Sequence, residues 1–171
     1  MRWDMNNKLF LLPIIALALV QIYCGGGQVQ DLDPKVAANR AWADNANKQL
    51  EKVPVEGFAY KGSAVPKQNW DKWAKVAAPV VKGIINQMPE GYVFQVTGHT
   101  DAKGPEQPEG NKPGNIKIST DRAKAVQASL QKQGITSPKM TAKGVGSSEL
   151  LKGVDSTSAK QRRVTFKVVP Q

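Results

Sequence analysis

From residue 55 to residue 168 the apolar residues change repeatedly between a spacing of two and a spacing of three or four, and this alternation restricts the fold more than any other feature. Val55 to Tyr60 alternates in part and predicts a first strand, ended by Gly62 and Pro66. Trp70, Trp73, Ala74, Ala77, Val80, Val81, Ile84, Ile85 and Met88 then recur at helical spacing and mark one apolar face. Pro79 sits inside this pattern, so the helix kinks or divides there, because the ring clashes with the preceding turn. Tyr92 to Val96 predicts a strand. Residues 102–115, with three prolines and three glycines, predict a long exposed loop. Ser119 predicts the N-cap of a helix running to about Gln133, with Ala123, Val126 and Leu130 inward and Gly134 after it. Met140 to Val145 reads as a strand weakened by Gly144, residues 155–161 as a short helix, and Val164, Phe166 and Val168 as a last strand. The order is β-α-β-α-β-(α)-β, an α/β two-layer sandwich with helices on one side of a mixed sheet.

The N-terminus reads differently. Arg2 and Lys8 precede an apolar run from Leu9 to Ile22, followed by Tyr23-Cys24 and Gly25-Gly26-Gly27. As helix the run would span roughly 21 Å, short of the ~30 Å hydrocarbon core, so it fits an export signal better than a membrane span. Cys24 is the single cysteine and has no partner within the chain. The arrangement resembles a bacterial lipoprotein signal, in which residues 1–23 are removed and Cys24 becomes the lipidated (palmitate-bearing) first residue. It departs from the usual pattern in having Tyr23 before the cysteine and Gln21 three before it, although spirochaetal signals are looser. The alternative is a soluble exported protein cut near Gly25. Residues 24–54 then form the lipidated N-terminus and tether, and residues 55–171 the domain. Within the tether, Val36 to Lys52 is weakly helical, and its pattern leaves open whether it packs on the domain.

The formal charge of +10 raises nucleic acid as a partner. The lysines are scattered, however, and no basic cluster alternates with aromatic residues. Export also removes most nucleic-acid partners, so no nucleic acid is expected. An anionic lipid surface or an anionic wall suits the charge better.

Three motifs stand out: Gly98-His99-Thr100-Asp101, then Asn115-Ile116-Lys117-Ile118-Ser119-Thr120-Asp121-Arg122-Ala123, and finally Gln161-Arg162-Arg163-Val164. Their types and order resemble the OmpA-like C-terminal domain, a peptidoglycan-binding fold, over roughly Val55 to Val168. The resemblance is closest to the leptospiral surface lipoproteins of OmpA type, where it extends through the Trp70/Trp73 helix and the Gly104-Pro105-Glu106-Gln107 loop. It implies that Asp101 and Arg122 grip the diaminopimelate of the wall peptide. An amino-acid end offers an ammonium and a carboxylate together, and one carboxylate with one planar guanidinium makes a matched pair of receptors. It further implies that Thr100 and Asn115 shape or line the pocket and that Arg162 touches the ligand carboxylate. Gln161 stands where the family has asparagine, Ile118 replaces the usual leucine, and the loop after Asp101 is longer than in typical members.

With Ser119 as cap, Arg122 falls near the third helical position, where the helix dipole disfavours a cation by ~0.3–1 kcal/mol. That placement makes sense for an arginine that receives an anion. The plainer reading is a surface ion pair with Asp101 or Asp121, worth about 0–1 kcal/mol. His99 reads as a local hydrogen-bonding residue that fixes the Asp101 turn, since one histidine makes no familiar zinc cluster. Gly144, Gly146 and Gly153 lack the lysine and hydroxyl spacing of a phosphate loop.

The expectation is therefore a binding module and not an enzyme, without cofactor or metal. It would tether an outer membrane, through the N-terminal lipid, to peptidoglycan in the periplasm. The alternative is a surface-exposed adhesin or virulence-associated protein that meets host molecules.

Overall fold

The structure, a computed structural model, describes residues 33–171; the signal segment and Cys24 lie outside the described residues. Helices α1 (Pro34–Leu50), α2 (Lys67–Val76), α3 (Ala78–Gln87) and α4 (Asn115–Lys132) accompany strands β1 (Val55–Glu56), β2 (Tyr92–Gly98), β3 (Met140–Gly144) and β4 (Arg163–Pro170). The sheet order is β1-β4-β2-β3, with β2 and β3 parallel and the other pairs antiparallel. The mixed α/β sandwich read from the periodicities is the fold found.

Register explains the core. Phe94 faces Val168 and Met140, and Val96 faces Phe166 and Ala142, so these residues share one face of the sheet. Against it lie Val81, Ile84 and Ile85 of α3, and Ala123, Val126 and Leu130 of α4. Trp70 stacks on Trp73 at 4.9 Å, Trp73 meets Phe166 at 5.5 Å, and Phe166 meets Phe94 at 5.6 Å. The indole N–H of Trp73 donates to the Val53 carbonyl at 2.8 Å, which satisfies its one polar atom.

Pro79 divides the helix rather than kinking it. It falls in the first turn of α3, where a missing N–H costs nothing, and Ala77 separates α2 from α3.

The segment left open in the sequence is α1, and it belongs to the folded domain. Asp33 caps it by accepting from the Lys35 amide at 2.8 Å, and Pro34 opens it. Its weak pattern has a physical reason: the buried stripe is Ala43, Ala46 and Leu50, mostly small side chains that let the helix come close. Asn47 then completes the sheet. β1 covers β4 only at residues 163 and 164, which leaves Val168 on an open edge. The Asn47 amide donates to the Val168 carbonyl at 2.9 Å and accepts from its N–H at 2.7 Å, as a neighbouring strand would. Helix α1 thus falls within residues 24–54, the stretch expected as the tether.

Two strand glycines, of which Gly144 is the one read from sequence as a weak point, carry the packing of α4. Gly98 and Gly144 are register partners on the core face. A Cβ on Gly98 would lie 1.9 Å from the Ser119 carbonyl oxygen, and one on Gly144 2.3 Å from the Thr120 amide. The second turn of α4, at Ser119 and Thr120, rests directly on the bare backbone there. Gly98→Ala or Gly144→Ala should therefore destabilise the domain by about 2–4 kcal/mol, since main chain must move. Gly83→Ala, in α3 with nothing within 4 Å of the added carbon, should stabilise it by about 0.5–1 kcal/mol. Urea unfolding midpoints of the three variants would check both signs.

Candidate functional site

The three motifs meet at the C-terminal end of β2. The His99 amide donates to the Arg163 carbonyl at 2.9 Å, which extends the ladder with β4, and the Thr100 amide donates to the Gly146 carbonyl at 2.8 Å. The chain then turns, and the Asp101 carboxylate is left almost wholly buried. Its Oδ2 accepts from Arg162 Nη1 at 2.8 Å and its Oδ1 from the Lys103 amide at 3.2 Å. Arg162 also donates through Nε to the Phe58 carbonyl at 2.8 Å.

Arg122 lies deeper, with 1% of its surface exposed. Its Nε donates to the Gly62 carbonyl at 2.8 Å, Nη1 to the His99 carbonyl at 2.7 Å and Nη2 to the Ala59 carbonyl at 3.0 Å. The guanidinium carbon is 5.4 Å from the Phe58 ring centroid. Burial lowers its pKa to about 10, helped by the charge of Arg162 and opposed by that of Asp101. It stays cationic at neutral pH. Two guanidinium groups and one carboxylate therefore share a mostly dry site with an excess of one positive charge.

This geometry changes the account of Arg122 in two ways. α4 starts at Asn115 with Gly114 as N-cap, so Arg122 is two turns in and clear of the helix-dipole effect. Nor is it a surface ion pair, because Asp121 pairs with Lys117 at 2.7 Å and Asp101 with Arg162. The early start was hidden by two isoleucines in the first turn, and the caps come from the long loop. The carbonyls of Pro105 and Glu106 accept from the Asn115 and Ile116 amides at 2.8 and 3.1 Å. Ser119, taken from sequence as the cap, instead accepts from the Gly146 amide at 2.9 Å and donates to the Ile116 carbonyl.

The other expected residues are also gathered here. Thr100 is buried, and its hydroxyl has no hydrogen-bond partner among the described residues. Asn115 is buried and holds the loop, donating to Glu106 Oε1 at 3.1 Å and to the Gly104 carbonyl at 3.4 Å. Gln161, at the family's asparagine position, is fully buried. It accepts from the Leu151 amide at 2.8 Å and donates to the Val154 and Asp155 carbonyls, so it pins the 151–155 turn. Sequence reasoning missed Glu106, which reaches from the loop to the Ser147 amide and hydroxyl. It also missed the 58–62 backbone, whose carbonyls face both arginines; carbonyls carry no residue-type signal.

The OmpA family model matches residues 76–164, which contain all three motifs. The chain belongs to the OmpA family. No curated protein sequence matches it. Among solved structures it is similar to the peptidoglycan-associated lipoprotein of Burkholderia pseudomallei, with 21% identity and a TM-score of 0.53 over 75% of this chain and 99% of that one. A MotB-like protein of Desulfovibrio vulgaris gives 18% and 0.52 over 80% and 93%. The C-terminal domain of Helicobacter pylori MotB gives 16% and 0.51 over 69% and 84%. At these identities the likenesses describe the fold that the OmpA-family motifs occupy.

His99 is structural, but its bond is not local: Nε2 is 2.8 Å from Thr165 Oγ1 on β4 and the ring is buried, so it braces β2 against β4. Burial, then the charge of Arg163, lowers its pKa from 6.5 to about 3, so it is neutral in the folded domain. The unfolded chain takes up a proton below about pH 6.5 while the fold resists until about pH 3. Stability contributed by this residue is therefore complete above pH 6.5 and lost on the way down, with a slope approaching ~1.4 kcal/mol per pH unit. Urea unfolding from pH 7 to pH 4 should show a steeper decline for the parent than for His99→Gln.

Proposed function

We propose that this domain binds peptidoglycan non-covalently, taking the diaminopimelate end of a stem peptide, and that lipid on Cys24 holds the chain to the outer membrane. The observation that carries the reading is the buried Asp101 paired with Arg162 and close to Arg122, where the OmpA-family motifs meet. Asp101 has lone pairs left after two hydrogen bonds, enough to receive an ammonium. Nη2 of Arg162 makes no hydrogen bond with the described residues and is free for a carboxylate. Arg122 adds the excess positive charge and fixes the backbone around the pair. Thr100, with its unused hydroxyl, and Asn115, at the base of the loop, complete the lining. The similarity to a peptidoglycan-associated lipoprotein agrees with this ligand class. Nothing in the arrangement pairs two carboxylates in separate roles for glycoside cleavage, and holding a ligand needs no covalent step.

The test is co-sedimentation of the purified full chain with diaminopimelate-containing peptidoglycan. Asp101→Asn preserves size and removes the charge, and it should weaken binding by tenfold or more, as loss of a charge-assisted contact does. Arg162→Gln should weaken binding as well. Arg122→Ala should lose both binding and about 3 kcal/mol or more of stability, because three carbonyls would be left without a donor. No binding by a folded parent would overturn the reading and move the weight to a surface interaction with host molecules.

A further inference from the structure

The long loop after β2 builds a second pocket beside the clamp. Lys103 and Lys112 from the loop and Lys61 from the 58–62 segment line a cavity of about 140 Å³ with Tyr60, Pro105 and Pro113. All three lysines are exposed, and none forms an ion pair with a described residue. The ammonium groups of Lys61 and Lys103 lie 5.3 and 5.8 Å from the Tyr60 ring centroid, so two like charges gather around one half-exposed ring.

The placement of Lys61 is enforced. Among the described residues it is the one non-glycine with a positive φ, 58°, a conformation that costs a lysine energy. Arg122 holds it there by bonding the carbonyls of Ala59 and Gly62 on either side. On the opposite wall the Lys103 amide is bonded to Asp101. Clamp and pocket thus share their framework, which places two of the three cations, Lys61 and Lys103, at the adjoining cavity.

We infer that this pocket is a second anion subsite, which takes a free carboxylate of the stem peptide beyond the amino-acid end held by Asp101 and the arginines; it rests on the reading of the domain as a peptidoglycan binder. Lysines suit the task, since a mobile point charge follows a carboxylate whose position varies with a flexible peptide. Amidation of that carboxylate removes the charge and leaves the rest of the peptide in place. The domain therefore distinguishes amidated from free-acid stem peptides.

Calorimetric titration of the full chain with two soluble probes tests this. One is L-alanyl-γ-D-glutamyl-meso-diaminopimelate, and the other carries the glutamyl α-carboxylate as its amide. The parent should prefer the free acid by about tenfold, in keeping with a charge-assisted contact near the surface. In the Lys61→Gln/Lys103→Gln/Lys112→Gln variant the preference should fall to about twofold or less, with affinity for the amide kept. Each single substitution should remove part of it, so the single variants decide the matter if the triple variant proves unstable. Equal affinity of the parent for both probes overturns the subsite and leaves the clamp standing, as does a preference that survives all three substitutions. Failure to bind either probe overturns both.

Discussion

The end of this domain where the three motifs meet is organised around a cation taken out of water. Desolvating a guanidinium is expensive, and the cost is tolerable only where acceptors surround it with good geometry. Arg122 finds them in the carbonyls of Ala59, Gly62 and His99, which belong to two separate stretches of chain. Those bonds tie the 58–62 segment to the end of β2. The same segment offers the Phe58 carbonyl to Arg162, which in turn holds Asp101. The ordering of the acid thus depends on the burial of the base. Side chains ordered in this way would lose little freedom in the proposed contact with a ligand, which favours affinity.

The glycine contacts make the arrangement possible from the other side. Because Gly98 and Gly144 present no side chain, α4 lies in contact with the sheet at Ser119 and Thr120. This sets Arg122, within one turn of the contact, at the depth where it reaches carbonyls rather than solvent. Neutral His99 bridges β2 to β4 through Thr165 without adding a positive charge beside Arg163 and Lys143.

Much of this was legible in the sequence. Strand and helix periodicities gave the layers, Pro79 the helix break, and the three motifs the residues that converge. What was hidden has identifiable causes. The packing of α1 rests on two alanines and one leucine, too small a stripe to stand out by hydrophobicity. The start of α4 depends on loop carbonyls that act as caps, so the local Ser119 signal pointed past the true cap, Gly114. The partners of Arg122 are backbone atoms contributed by residues as ordinary as Ala59 and Gly62. Motifs name side chains, and half of this site is main chain.

The contact between Asn47 and Val168 bears on how the domain behaves among its own copies. An unpaired strand edge is a template on which another chain can add a strand. Here β1 blocks one stretch of that edge and a single amide from α1 blocks the next. The helix thus works as a sheath against polymerisation as much as a piece of core. A fragment trimmed to the motifs, beginning at Val55, would keep its clamp and bare the outer margin of β4, and its hazard would be self-association rather than loss of recognition.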